Sequence, residues 1–360
     1  MDYRNPMLIV ESDKTSPGSL GWRSPSNLAI IKYWGKHGVQ LPRNPSISFT
    51  LQNAYTDTWL DYKPKATNDP NVSLDFFFND QPNEAFKAKV LKFLSGLTGI
   101  FPFLKQLQLT IRSRNSFPHS AGIASSASSM SALALCLCGL ERNFFGTLQN
   151  EAEFLQKASY LARLGSGSAC RSVYPEMAIW GATGAVDGTS DEYATPFTPL
   201  HEIFKSYHDT ILIISKGEKS VSSRAGHELM DSNIYAQSRY EQARQRFRTL
   251  IDVLKSGDVE AFGKIAEAEA LALHALMMLS HPPFTLLKAN TISAIEALQR
   301  FRSETQVPVY FSLDAGPNLH LLYPDAVQAK VQYFIQNELV QYCENGQYIE
   351  DKVGKGPAEL

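Results

Sequence analysis

Asn115-Ser-Phe-Pro-His-Ser-Ala-Gly-Ile-Ala-Ser-Ser-Ala-Ser-Ser129 is the stretch on which the reading of this chain turns. A strand is expected just before it, Gln108 to Ser113, with Leu109 and Ile111 on one face. A helix of small residues is expected to leave it, from Ser125 to about Leu140. A loop of Gly, Ala and Ser feeding a helix start offers unpaired backbone N–H groups and a positive dipole end. No bulky side chain stands in the way, an arrangement suited to an anion such as a phosphate. Serine runs before helices are also ordinary N-caps, so the stretch alone leaves both readings open.

The 360 residues suffice for one large domain or two ordinary ones. Lys plus Arg (34) nearly balances Asp plus Glu (36), so no global basic field points to nucleic acid or an anionic membrane. An anionic ligand must then be held by local basic groups. Four cysteines are few, and Cys136 and Cys138 stand two apart on an expected helix, facing different ways. That usage fits a reducing compartment. The first residues carry Asp2, Arg4, Glu11, Asp13 and Lys14 without an apolar secretory core, and no apolar run reaches membrane-span length. The expectation is a soluble cytoplasmic protein.

Residues 1–20 read as a flexible lead-in around a short apolar run, Met7 to Val10. Ser24-Pro25 reads as a polar turn, Leu28 to Ile31 as an apolar strand, and Tyr33-Trp-Gly-Lys36 as an aromatic-basic cluster. Ile47, Phe49 and Leu51 alternate with Ser46, Ser48 and Thr50, the pattern of a half-buried strand. Further strands are expected at 72–78, 177–180, 185–187, 210–215, 307–313 and 319–323. Helices are expected at 83–97, 149–164, 222–231, 234–256, 258–280, 285–304 and 324–338, with a frayed polar tail at 350–360. The loose Thr/Pro/Asp stretch 188–200 marks a boundary between domains at 1–200 and 201–360. Strands and helices mix without a regular βα repeat, which favours α+β over a doubly wound sheet.

Four segments combine glycines, small hydroxyls and single charges at element ends: 24–36, 115–129, 165–172 and 312–318. Each also has a plain reading. Lys32 and Lys36, four apart, suit a solvated edge; Gly165-Ser-Gly-Ser168 suits a helix C-cap; Arg171 suits a structural ion pair; Asp314 before Ala-Gly-Pro suits a turn. His-Glu-x-x-His, Cys-x-x-Cys, the Gly-Lys-Ser/Thr P-loop and Gly-x-Gly-x-x-Gly after a strand are all missing from the sequence.

Taken in order, Ser24-Pro-Ser-Asn-Leu-Ala29, Lys32-Tyr-Trp-Gly-Lys36, Phe117-Pro with Ala121-Gly-Ile-Ala-Ser-Ser-Ala127, Gly165-Ser-Gly-Ser-Ala-Cys-Arg-Ser172 and Asp314-Ala-Gly-Pro-Asn318 resemble the mevalonate diphosphate decarboxylases of the GHMP kinase superfamily. The resemblance runs from about Gly21 to Tyr323 and takes in Lys219-Ser-Val-Ser-Ser223, His274-Ala and Pro282-Pro283. It implies a GHMP kinase fold, an N-terminal ribosomal-protein-S5-domain-2-like α/β domain followed by a C-terminal ferredoxin-like α+β domain. It implies an ATP- and Mg²⁺-dependent decarboxylation of (R)-5-diphosphomevalonate to isopentenyl diphosphate, by 3-phosphorylation and then elimination, and a homodimer.

By the same resemblance Asp314 is the catalytic aspartate, Arg171 holds the substrate carboxylate, and Asn27 lies near the reacting centre. Tyr33 and Lys36 bind substrate, and Ser166, Ser168, Ser223 and Arg224 bind its diphosphate. Ala121, Gly122, Ala124, Ser125 and Ser126 cradle the ATP phosphates, with the Ser126 hydroxyl reaching Mg²⁺. The chain departs from the family where Pro175-Glu-Met177 replaces Gly-Gly-Phe beside Arg171, in His37 to Arg43, and at His119 and Ser120. A 5-monophosphate decarboxylase, a mevalonate 3-kinase and a non-catalytic nucleotide-binding protein are the competing readings. Retention of Asp314, Arg171 and the glycine-serine loop argues against the last two.

Overall fold

The computed structural model describes residues 2–11, 13–67, 69–118, 123–217, 221 and 223–360, with Ser223 and Arg224 entering through their backbone alone. Among the described residues the strands form an eight-stranded sheet, a four-stranded sheet and a two-stranded hairpin.

Two long antiparallel strands, Gly18–Ile31 and Ser46–Pro64, are the spine of the larger sheet. Leu107–Asn115 pairs with the second of them, and Ser73–Phe78 lies parallel to Leu107–Asn115. The helix Glu84–Gly96 connects these last two, started by Asn83, whose side chain accepts the Phe86 N–H. Met177–Trp180 pairs with the other end of Ser46–Pro64 and carries Ala194–Pro196 at its side. The helix Ser125–Phe145 is buried between the sheet, which Cys136 and Gly139 meet at Thr58 and Leu20, and the helix Glu151–Gly165. Its small residues permit close approach: a Cβ on Gly139 would stand 2.9 Å from the Leu20 side chain. In the second sheet Tyr310–Leu313, Leu319–Tyr323, His208–Leu212 and Tyr348–Lys352 follow in antiparallel order, covered by Val259–Met278 and Ala289–Thr305.

Several expectations are corrected. Ser24-Pro25 is no turn but lies inside the strand Gly18–Ile31, where the register shifts between Pro25 and Asn27. A proline lacks the ladder N–H and is tolerated at such an irregularity. Ser24 and Ser26 are fully buried because their hydroxyls meet the Ser131 hydroxyl and the Ile123 carbonyl. The lead-in is tied down: Leu8 and Val10 join the core, and the Gln106 amide bonds the Val10 N–H and carbonyl at 2.9 and 2.8 Å. The strand expected at 185–187 is turn, and the loose stretch after it contains the short strand Ala194–Pro196. Residues 324–338 break into short 3-10, α and π turns rather than one helix.

The tail is not frayed. Ala358–Glu359 pairs with Trp22 and Arg23, and Gly354 exchanges hydrogen bonds with Thr50 and Glu176. A Cβ on Gly354 would lie 2.5 Å from the Leu51 carbonyl oxygen, so only glycine lets the tail cross there. No helix among the described residues is long and apolar enough to cross a membrane.

Asp351 stitches the two sheets together. Its carboxyl accepts the N–H groups of Gln52, Asn53 and Ala54 at 2.8, 2.8 and 2.7 Å, where Ser46–Pro64 bulges opposite the register shift. Burial, with Asp209 paired across the strand, pushes Asp351 up to about 6 against the N–H groups of Asn53, Lys352 and Ala54, which pull the other way. A folded value above the unfolded one means that folding takes up a proton. The stability Asp351 lends is therefore full below about pH 4 and declines as pH rises through 6. Urea titrations should show Asp351→Asn gaining on the parent chain between pH 4 and 7. A pH-independent gap would contradict this. Asp351→Ala should cost about 2–4 kcal/mol by stranding three donors.

Candidate active site

A cleft of about 780 Å³ lies between the two sheets. Its walls include Asn27, Lys32, Tyr33, Lys36, Ala124, Ser126, Ser166, Ser168, Arg171, His227 and Asp314. Four segments far apart in sequence thus face one space.

One wall is the end of the first strand. Lys32 leaves it buried and places its ammonium 2.9 Å from Asp314 Oδ1. The Lys32 backbone is held as firmly: its N–H donates to Glu269 Oε2 at 3.0 Å, and its carbonyl accepts from Asn44. Glu269, fully buried, is paired with Arg239 and Arg246 at 2.5 and 2.9 Å. Asp314 follows the strand Tyr310–Leu313, and its carbonyl is hydrogen-bonded to His274 Nε2 at 3.0 Å. Lys32 is one residue whose role sequence reasoning missed: it opens the Lys32-Tyr-Trp-Gly-Lys36 motif but reads by itself as a solvated edge with Lys36. Its position straight after the apolar run Leu28 to Ile31 was the available signal.

Arg171 forms the floor. It is 1% exposed, on a 3-10 turn, Gly167–Val173, that continues from the helix Glu151–Gly165. Nε donates to Ser48 Oγ at 2.7 Å, Nη1 to Ser46 Oγ at 2.6 Å, and Nη2 to Asn27 Oδ1 at 3.4 Å. The serines on the second strand are consequently buried, which corrects the half-buried expectation; they solvate a cation rather than face water. No acidic side chain among the described residues lies within ion-pair distance of Arg171. Burial lowers its pKa, and Asp314 is near enough to counter that electrostatically. Asn27 is fixed by donating to Ser172 Oγ at 2.8 Å.

Tyr33 packs edge-on against Trp180, and the Arg171 guanidinium sits 5.6 Å from its ring centroid. Burial pushes its hydroxyl up to about 12 despite the Arg171 charge. A Cβ on Gly167 would come within 2.8 Å of that hydroxyl and 2.7 Å of Trp180, so the glycine in the Gly-Ser-Gly-Ser loop clears room for the tyrosine. Lys36 reaches Gln40 Oε1 at 2.6 Å, at the hairpin of Lys36–His37 and Leu41–Pro42.

The helix Ser125–Phe145 begins on the opposite wall. Ala124 precedes it in a left-handed conformation (φ 45°) and supplies no side-chain cap, and Ala124 and Ser126 both line the cleft. The Ser126 and Ser166 hydroxyls stand 3.2 Å apart. A second cavity of about 290 Å³ adjoins, sharing Lys89, Ser126 and Met130, with Ser125 and the rings of Phe76, Phe78 and Phe86 around it. Of the residues expected here, Ala121 and Gly122 lie outside the described residues, as do the side chains of Ser223 and Arg224 and the departures His119 and Ser120. Pro175 and Glu176 are not among the residues lining the cleft; their turn binds the tail through Gly354 and stands against Gly356.

Two sheets meeting over such a cleft make this a GHMP kinase fold. Residues 24–194 match the diphosphomevalonate decarboxylase-like N-terminal domain, and residues 210–358 match the mevalonate 5-diphosphate decarboxylase C-terminal domain. The chain belongs to the diphosphomevalonate decarboxylase family. The diphosphomevalonate decarboxylase of Candida albicans is 29% identical over 86% of this chain and 85% of its own. The Staphylococcus aureus mevalonate diphosphate decarboxylase superposes with a TM-score of 0.81 at 27% identity, covering 97% of this chain and 100% of that one. A structure named MDDEF, in complex with MVAPP, AMPPCP and magnesium, gives 0.80 at 29% identity over 96% and 99%.

Removing either hydroxyl under Arg171 leaves a buried guanidinium N–H without its acceptor. Ser46→Ala and Ser48→Ala should each lower unfolding free energy by about 1–3 kcal/mol, read from denaturant midpoints. Midpoints equal to the parent's would show that water replaces the hydroxyls.

Proposed function

We propose that this protein carries out the ATP-dependent decarboxylation of (R)-5-diphosphomevalonate to isopentenyl diphosphate, releasing ADP, phosphate and CO₂. The observation that carries the reading is the pairing of opposites on one cleft. A lysine-held carboxylate, Asp314, looks across at Arg171, a buried cation with neutral hydrogen-bond partners. Binding of MVAPP, an ATP analogue and magnesium by the MDDEF protein supports the same ligand set here.

Arg171 captures the substrate carboxylate, which meets a charge not already spent on a protein acid. Asp314 accepts the proton of the tertiary 3-hydroxyl as that oxygen takes the γ-phosphoryl group, with Lys32 fixing the carboxylate's direction. Asp314 passes its proton on to the departing phosphate, and the restored carboxylate favours the positive charge left at the carbon until CO₂ departs and the alkene forms. Asn27 keeps Arg171 in register. Tyr33, Lys36, Ser166 and Ser168, with Ser223 and Arg224, bind the 5-diphosphate. Ala121, Gly122, Ala124, Ser125 and Ser126 bind the nucleotide phosphates at the helix start, and the aromatic cavity beside them takes the base. Mg²⁺ fits this design, because it keeps waters and phosphate oxygens and asks little of the protein; Ser126 supplies a hard oxygen. When bound, it neutralises phosphate charge. The same reading divides the chain at 200/201, so that Arg171 and Asp314 come from different domains.

The test is incubation with ATP, Mg²⁺ and mevalonate bearing no, one or two 5-phosphates, following ADP and CO₂ separately. Both products in equal amount from the diphosphate are expected. ADP without CO₂ sinks the reading, and turnover of the monophosphate alone moves the protein to that substrate. Asp314→Asn should lower kcat by about 10²–10⁴-fold while ATP affinity stays near parental.

A further inference from the structure

His227 is a wall residue of the cleft to which neither the sequence reading nor the family match gives a role. It sits on the short helix Ser223–Glu228 and is 6% exposed. Two aromatic rings hold it: Tyr33 stacks at 4.7 Å and 26°, and Trp34 lies at 4.4 Å and 34°. Gly226 permits this packing, since a Cβ there would stand 2.4 Å from the Trp34 ring.

The Gly35 N–H donates to His227 Nδ1 at 2.9 Å. A nitrogen that accepts carries no proton, so the neutral ring holds its proton on Nε2. Burial, and the Lys36 ammonium that faces the ring, both push the imidazolium form away, leaving the pKa well below the usual value. The ring therefore brings to the cleft one uncharged N–H, held by a stacked tyrosine and a tilted tryptophan, near the Lys36 ammonium. A neutral donor next to a cation can direct an anion's oxygen without repelling that cation.

We propose that His227 is a specificity-determining residue of this site: its Nε2–H donates to an oxygen of the substrate's phosphoryl tail, alongside Lys36. This rests on the reading of the cleft as a phosphorylated-mevalonate site and adds the group that reads its tail. The two aromatic neighbours and the Gly35 bond leave the buried imidazole little freedom, so the bond forms without a further cost in ordering the side chain. Tyr33 and Lys36 are tied to the same device, because Gly35 between them is held by Nδ1.

Three variants separate the two nitrogens. His227→Gln keeps an N–H near the Nε2 position, His227→Asn keeps an acceptor near Nδ1 for Gly35, and His227→Phe keeps the stacking alone. The Gln variant should hold the phosphorylated substrate's KM within about threefold, whereas Asn and Phe raise it about tenfold or more. The KM for ATP and kcat should stay within about threefold for all three. Parental substrate KM in the Asn or Phe variant overturns the proposal. So does a Gln variant as poor as Phe, or losses shared with ATP KM and accompanied by a lower Tm, which mark a purely structural ring. Calorimetric titration with inorganic pyrophosphate, which needs no turnover, separates this from the functional reading. A parent that binds pyrophosphate without forming CO₂ refutes the decarboxylase, and the Asn and Phe variants must still bind it about tenfold more weakly. A parent that forms CO₂ while its Phe variant binds pyrophosphate equally well refutes His227 alone.

Discussion

The ion pair between Lys32 and Asp314 is the constraint on which the site depends, because its partners come from different sheets. Lys32 is almost wholly buried, and a buried ammonium is tolerable only while its counter-charge is in place. Such a pair contributes little net stability, yet breaking one typically costs about 3–5 kcal/mol, so it specifies geometry more than it adds stability. The two sheets cannot slide relative to each other without stranding that charge. Glu269 extends the constraint outward: bonded to Arg239 and Arg246, it grips the Lys32 backbone N–H. His274 does the equivalent for Asp314 through the carbonyl. The carboxylate faces the cleft in one direction because both backbones that carry the pair are pinned.

Arg171 is managed by the opposite means. Its partners are the hydroxyls of Ser46 and Ser48 and the amide of Asn27, neutral dipoles that satisfy donors without cancelling charge. A carboxylate at that place would stabilise the resting protein and compete with an anionic ligand. A buried cation left with only dipoles is costly alone, and the binding of a negatively charged substrate offsets that cost. The alternation Ser46, Ser48 along a strand, facing an arginine from a helix-end turn, thus stores an attraction for an anion in the empty fold.

How much of this the chain displayed in its sequence follows from how local each feature is. Helices with caps and periodic apolar faces were legible: Glu84–Gly96 and Glu151–Gly165 fall within about two residues of expectation. So was the strand Leu319–Tyr323. The long strands were not. Pro25 and the serines around it carry every local mark of a turn, and only pairing with the distant strand Ser46–Pro64, with hydroxyl bonds to Ser131 and Ile123, holds them extended. The site was legible as a set of four motifs whose likeness to a family joined them. Lys32 escaped because lysine at a strand end is ordinarily solvated, and the acid that buries it is hundreds of positions away. His227 escaped for a similar reason: nothing local in Ala225-Gly-His227 announces two aromatic neighbours and Gly35 from another segment.

The Pro175-Glu-Met177 departure shows why a change beside a reactive residue need not reach it. Glu176 sits at φ 51°, a left-handed conformation that directs its amide to the Gly354 carbonyl and its own carbonyl to the Thr50 N–H. The turn thereby receives the returning tail, which Gly354 and Gly356 allow to pass against Leu51 and Pro175 with no room for a Cβ. Just before Gly354, Val353 meets Leu51, and two residues earlier Asp351 takes the amides of Gln52 to Ala54. The bulge in Ser46–Pro64 and the departure near Arg171 are two faces of one joint. That joint grips residues 50–54 of the strand, directly after the Ser46 and Ser48 that it presents to Arg171. A family difference that lies beside Arg171 in sequence is, in the fold, the seat of the residues 354–356, and the strand Ser46–Pro64 joins it to the cleft.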